Sequence, residues 1–197
     1  MGPRRIVCLT EDPTEVLYAL GEQDRIVGIS GFTVRPPQAR REKPKVSAFT
    51  SAKIDAILAL EPDFVVGFSD IQAEIAATLV RRGVEVWIAN HRSVEGIVDY
   101  IRRLGALVGA AARADAYADE LEAGLERIAR EASRLPRRPR VYFEEWDEPI
   151  ITGIRWVAEL VRIAGGDDVF PELSAEPLAK ARILASGDPV VERAPDI

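Results

Sequence analysis

Ala111-Ala-Arg-Ala-Asp-Ala-Tyr-Ala-Asp-Glu-Leu-Glu-Ala-Gly-Leu-Glu-Arg-Ile-Ala-Arg-Glu-Ala-Ser-Arg-Leu135 is the stretch from which the rest of the chain is read. Tyr117, Leu121, Leu125, Ile128, Ala132 and Leu135 recur at gaps of three and four, so they share one stripe of a helix. Asp119, Glu120, Glu122, Glu126, Arg127, Arg130 and Glu131 make the opposite, solvated side. Pro136 and Pro139 end the pattern, because neither supplies the amide hydrogen a helix needs. At ~1.5 Å per residue the helix would run roughly 36 Å, about the width of a small domain. The residues before it read as a complete α/β unit, and those after it read as the start of a second. The expectation is an N-terminal lobe over 1–110, a connecting helix over 111–135 and a partial C-terminal lobe over 136–197.

Outward from the strut, the first lobe alternates strands and helices. Arg5–Leu9 is a short run, continuously apolar after Arg5, of the kind found in buried parallel strands. Thr10–Pro13 reads as a loop, Pro13–Leu20 as a helix stopped by Gly21, and Arg25–Ile29 as the next strand. Gly31–Pro37 is a loop. Lys45–Ser47 is extended, a helix starts near Ser51 and stops before Pro62, and Asp63–Gly67 is a strand. Gln72–Arg82 and Val94–Leu107 read as helices around a strand at Val84–Ala89. After the strut come a strand at Arg140–Glu144, a loop over Glu145–Ile154, a helix at Trp156–Ala164, an extended piece at Asp167–Phe170, a loop over Ser174–Lys180 and a short helix at Gly187–Arg193. This alternation predicts an α/β fold: two lobes with mostly parallel sheets flanked by helices, joined by one long α-helix, the second lobe incomplete.

The two lobes share landmarks. Arg5-Ile-Val7 answers Arg140-Val-Tyr142, and Glu61-Pro-Asp-Phe64 answers Ala194-Pro-Asp-Ile197, with intervals that differ by only two residues. Leu20-Gly21 answers Ala164-Gly165, with about nine extra residues in the first loop of the second lobe, around Trp146–Gly153. The pattern predicts a duplication. In the first lobe Pro62-Asp63 is followed by a strand, a helix and a strand; in the second only Ile197 comes after the Pro-Asp pair. The expectation is therefore a longer parent chain with roughly 50–60 further residues.

Composition narrows the function. With 47% hydrophobic and 29% charged residues the chain is an ordinary globular one, and a net charge of −6 argues against nucleic acid as a partner. The single cysteine, Cys8, rules out an internal disulfide, and its apolar neighbours mark it as a core residue. No apolar run reaches the ~18 residues of a membrane span, so no membrane insertion is expected. Only four apolar residues follow the basic Met1–Arg5, too few for a signal-peptide core, which leaves the compartment open.

Three segments, Arg5–Glu15 running on to Gly28-Ile-Ser30, Ile57–Val66 with its Leu-Glu-Pro-Asp, and Val141–Pro149, together resemble the class III periplasmic substrate-binding proteins of ABC importers. The similarity is greatest to the cobalamin-binding and iron-siderophore-binding members and extends from Arg5 to Ile197. It implies a ligand held in a cleft between the lobes, over the loops at the C-terminal ends of the strands, and a periplasmic or cell-surface location. It implies no resident cofactor; the cargo would be a small-molecule metal chelate such as cobalamin or a ferric chelate. The loops concerned carry Glu11, Asp12, Phe32, Phe68, Trp146, Ile150 and Trp156. By position Phe68 matches an aromatic wall residue of the cobalamin-binding members, and Phe32 and Trp146 fall in loops that supply other walls. Flat rings suit the face of a macrocycle. The resemblance further implies docking to an ABC permease through one carboxylate per lobe, matched here by Glu74 and Asp188.

Enzymatic signatures are sparse. His91 is the only histidine and reads as a surface-loop residue, and one His with one Cys makes no zinc site without carboxylates. The segment after the first strand, Thr10-Glu-Asp-Pro13, is acidic and lacks the glycines of a phosphate-binding loop. No Gly-x-Ser-x-Gly elbow is present. A corrinoid-binding protein is the preferred reading. An iron-siderophore or haem binder of the same family, a stand-alone cytoplasmic corrinoid-binding module, and an α/β enzyme using the acidic loops are the alternatives.

Overall fold

The computed structural model describes residues 2–197. The first compact unit runs up to His91 and includes Asp99–Asp119; the second comprises Arg92–Val98 and Glu120–Ile197. Helix α6, Ala111–Ala132, is therefore shared by the two. It stops three residues short of the expected Leu135, ahead of the proline-rich run that disfavours helical backbone. Its best-covered positions are the small ones: Ala114 and Ala118 are fully buried, whereas Ile128 is largely exposed.

In the first unit five strands form one parallel sheet in the order β3-β2-β1-β4-β5. These are β1 (Ile6–Cys8), β2 (Ile26–Ser30), β3 (Lys45–Ser47), β4 (Phe64–Phe68) and β5 (Val86–Ala89). Helices α1 (Glu11–Ala19), α2 (Pro37–Glu42), α3 (Ile54–Ala59) and α4 (Ala73–Arg81) alternate with them, and α5 (Val94–Leu107), whose first five residues are counted with the second unit, follows β5. Successive side chains of β1 serve opposite faces: Val7 and Leu9 join Val65, Ile57 and Leu79 in one cluster, and Ile6 and Cys8 are buried outside it. Strand order reverses between β1 and β4, the switch point at which open parallel sheets form ligand crevices. Helix α5 closes on α6 where Gly105 meets Ala114; a Cβ on Gly105 would lie 2.1 Å from that of Ala114.

The second unit holds a parallel pair, β6 (Arg140–Val141) with β9 (Asp167–Asp168), and an antiparallel hairpin, β7 (Glu144–Asp147) with β8 (Ile150–Thr152). Helices α7 (Arg155–Ile163), α8 (Pro171–Ser174) and α9 (Asp188–Glu192) complete it. The hairpin replaces the loop expected at Glu145–Ile154, and the strand expected at Arg140–Glu144 is split between the two sheets. Two helices went unforeseen, α2 and α8; each opens on a proline, which suits the first helical position because its missing N–H has no partner there.

The paired landmarks share local geometry. The Arg5 guanidinium donates to the carbonyls of Leu60 and Glu61, and Asp63 accepts the amides of Arg4 and Arg5 at 2.8 Å each. In the second unit Arg140 donates to the carbonyls of Arg193 and Ala194, and Asp196 accepts the Arg140 amide at 2.8 Å. The Phe64 amide bonds to the Arg5 carbonyl as the Ile197 amide bonds to that of Arg140. Gly21 and Gly165, the paired helix stops, both sit at positive φ, which glycine adopts without steric cost. No helix of the described residues is long and apolar enough to cross a membrane.

Candidate functional site

The carboxyl edge of the first sheet collects chemistry around the switch point. β1 ends at Cys8, followed by Leu9 and Thr10, and α1 begins at once, so Glu11 and Asp12 occupy the first helical turn and not the expected loop. Carboxylates are favoured there by the helix dipole, and Pro13 is tolerated within that turn. Burial pushes the Asp12 carboxyl up to about 6 from an ordinary 3.8. The Thr10 and Tyr100 hydroxyls both favour its ionised form, yet Thr10 Oγ1, Asp12 Oδ2 and Tyr100 Oη stop short of hydrogen bonds of normal geometry. Burial first, then the Asp12 charge, holds the Tyr100 phenol well above its ordinary value. Cys8, buried beneath them, is pushed up to about 12, so it is an inert thiol.

Aromatic rings stack along the same edge. His91, expected on the surface, is half-buried between Phe68 and Tyr100, with both ring centroids 4.6 Å away. Tyr100 in turn stacks on Trp87 at 5.4 Å. Phe68 is the last residue of β4, not a loop residue, and only 7% of it is exposed. Phe32, after β2, projects much further, at 57% exposure. Its loop is pinned from behind: Arg40 of α2 donates to the carbonyls of Gly31 and Thr33, and Ser30 Oγ accepts the Phe32 amide.

Behind the edge, Gln72 is completely buried. Its Oε1 accepts the Phe68 amide at 3.1 Å, and its Nε2 donates to the carbonyls of Phe49 at 3.1 Å and Leu9 at 3.4 Å. The turn that delivers it is strained, with Ser69 at φ +75°. Sequence reasoning missed Gln72. The available signal was Gly67, whose absent Cβ leaves room for the Gln72 amide. Glu74 follows in the first turn of α4 and is exposed.

In the second unit the hairpin displays Trp146 at 60% exposure, with its Nε1 donating to the Glu148 carbonyl. Glu144, Glu145, Asp147 and Glu148 surround it on an otherwise exposed strand and turn. Ile150 is half-buried on β8 opposite Asp147, and Trp156 is half-buried as the second residue of α7. Arg182 was not foreseen: 1% exposed, it donates to the Thr152 carbonyl and to Glu145 at 2.6 Å, anchoring the hairpin from within. Asp188 opens α9, exposed, its carboxylate accepting from Ser186 Oγ.

A separate open hollow of about 800 Å³ lies by α7, β9 and α8. Arg138 pairs there with Asp167 at 2.7 Å and Arg155 with Glu159 at 2.8 Å, and none of the expected site residues lines it. Among the described residues no group of His, Cys, Asp and Glu side chains is arranged to hold a metal ion.

A family model described as periplasmic binding protein matches residues 6–197. The vitamin B12-binding protein of Vibrio campbellii is 28% identical over 200 residues, taking in 100% of this chain and 70% of that protein. The cobalamin-binding protein of Halobacterium salinarum is 26% identical over 198 residues, taking in 96% of this chain and 53% of that one. This chain thus spans between about half and seven tenths of those relatives. Among solved structures, the periplasmic vitamin B12 binding protein of Vibrio cholerae superposes with a TM-score of 0.82 at 21% identity, covering 99% of this chain and 75% of that one. A periplasmic heme-binding protein from a Roseiflexus species gives 0.81 at 24% identity, covering 99% and 75%. At such identities the structures show a shared fold.

Proposed function

We propose that this chain, which belongs to the periplasmic binding protein family, captures a corrinoid and presents it to an ABC permease. The family binds rather than catalyses, so no bond is made or broken. The observation that carries the corrinoid reading is the pair of relatives named for vitamin B12 and cobalamin, matched over nearly the whole of this chain.

The side chains support it. In this reading the exposed rings of Phe32 and Trp146 are offered to the macrocycle, and Phe68, Ile150 and Trp156 are further contact residues. Glu11 and Asp12 accept hydrogen bonds from the primary amides that fringe a corrin ring. The same carboxylates, and the four around Trp146, oppose a ligand edged with negative charge. Haem is the second reading, favoured by the heme-binding structural neighbour, but these carboxylates would repel its propionates. Glu74 and Asp188 are the proposed permease contacts, and a periplasmic or cell-surface location goes with the role.

Absorbance-monitored titration with cyanocobalamin, haem and a ferric siderophore tests the reading. Tight binding of cyanocobalamin, with Kd at or below the micromolar range, supports it, and this would require about −8 kcal/mol or better. Tighter binding of haem would transfer the site to the second reading.

A further inference from the structure

Three loops leave the carboxyl edge of the first sheet near the switch point: after β1 at Leu9, after β3 at Phe49 and after β4 at Phe68. One side chain touches all three. Gln72 accepts from the Phe68 amide and donates to the Leu9 and Phe49 carbonyls. We propose that Gln72 is a positioning residue for ligand capture: its buried amide sets the register of these three loops and thereby the placement of the groups at the ligand edge. The inference rests on the binding reading given above.

The local structure is built around that contact. Gly67 carries no side chain where a Cβ would lie 2.3 Å from Gln72 Oε1, so the strand yields space to the amide. Ser69 takes a positive φ unusual for a residue with a side chain, its amide donates to the Ala89 carbonyl of β5, and the Gln72 amide returns to the Ser69 carbonyl. The chain is thus wound tightly enough to bring Gln72 back under the end of its own strand. Ser47 Oγ also donates to the Leu9 carbonyl, at 3.1 Å, so the end of β1 is held from both sides. Leu9 leads directly into Glu11 and Asp12, and Phe68 carries the ring that stacks on His91. An amide is the side chain the position calls for. It supplies one acceptor and two donors without charge, whereas a carboxylate would turn both donors into repulsion against carbonyl oxygens.

The test uses the full chain with Gln72→Met, similar in size but without the hydrogen bonds, and cyanocobalamin as the probe. In the ligand-free protein, hydrogen exchange at the Phe68 amide should speed up by about tenfold or more while the amides of α1 keep their protection. Cyanocobalamin affinity should fall by about tenfold or more under conditions where far-UV circular dichroism shows both proteins folded. Gln72→Glu adds a readout that general destabilisation would not produce. Its protonated form regains one donor and its ionised form has none, so affinity relative to the parent should rise as pH falls from 7.5 to 5.5. Unchanged affinity in folded Gln72→Met, unchanged Phe68 exchange, or a flat pH profile for Gln72→Glu would each overturn the proposal. Should the parent chain bind no cyanocobalamin, the corrinoid reading fails, and the exchange measurement still decides whether Gln72 holds the three loops.

Discussion

Replacing Asp12 by Asn should stabilise the first unit at neutral pH and leave it unchanged in acid. The folded protein holds this carboxyl at about 6, chiefly through burial, against an ordinary 3.8. A raised carboxyl pKa means the folded state resists ionisation. Stability tied to this group is fully present below about pH 4 and is lost as pH climbs through about 6. At 1.36 kcal/mol per pH unit the loss amounts to about 3 kcal/mol. Partial exposure of the residue trims this to roughly 1–3 kcal/mol. Asn keeps the shape and never ionises, so its stability curve should lack that descent. Urea denaturation at several values from pH 3.5 to 7.5 measures it. Trp87, stacked on Tyr100 close to the carboxyl, reports the first unit when Trp146 and Trp156 are both changed to Phe. The difference between Asp12→Asn and its parent should be near zero at pH 3.5, grow between pH 4 and 6, and level off above. Parallel curves for the two proteins would refute the claim that burial of Asp12 is an uncompensated cost at neutral pH.

Trp146→Ala should weaken cyanocobalamin binding by roughly tenfold or more without altering thermal stability, because the ring is mostly exposed and supports little of the hairpin; calorimetric titration and a melting curve check both halves. Gly105→Ala sets helix propensity against packing. Alanine gains about 1 kcal/mol as a helix former, but its methyl would lie 2.1 Å from the Cβ of Ala114, between two helices that would have to separate. Overpacking costs roughly 1–3 kcal/mol, so the net effect should be a lower melting temperature, and an increase would contradict the close approach of α5 and α6.

Much of the first sheet could be read from local sequence because β1, β4 and β5 are continuous apolar runs. Val94–Leu107 was bounded correctly since its apolar period is unbroken. The same logic failed where a boundary depends on packing. Phe68 extends β4 because its ring is covered by His91, and nothing local distinguishes it from a loop aromatic. Glu11 and Asp12 read as loop because acidic residues before a proline suggest a turn, whereas the dipole of α1 favours them inside the helix. Of the candidate residues, the exposure of Trp146 was legible from its acidic neighbours, whereas Phe32 was placed by the resemblance alone. Gln72 and Arg182 were not, because a buried polar side chain is stabilised by partners distant in sequence: Leu9 for the first, Glu145 and Thr152 for the second.

The paired landmarks bear on stability. A recurring Arg or Pro-Asp pair can arise by chance in any α/β chain. Recurrence of the hydrogen-bond set is harder to reach by accident: a guanidinium spanning two carbonyls at a helix end, a carboxylate receiving the amide that starts a strand, and a residue before proline at φ +48° for Glu61 and +43° for Ala194. Each clasp joins the end of a helix to the start of a strand some fifty residues away in sequence. Arginine suits the role because its planar fork meets two acceptors at once, and lysine offers only a point charge on a flexible stem. Arg140→Lys should therefore loosen the second unit locally, by about 1 kcal/mol, seen as roughly fivefold faster exchange of the Ile197 amide, which bonds to the Arg140 carbonyl. The Phe64 amide, its counterpart beside Arg5, should exchange at its original rate. Equal acceleration at both would mean that the two clasps belong to one cooperative unit, contrary to the division of the chain into two compact halves.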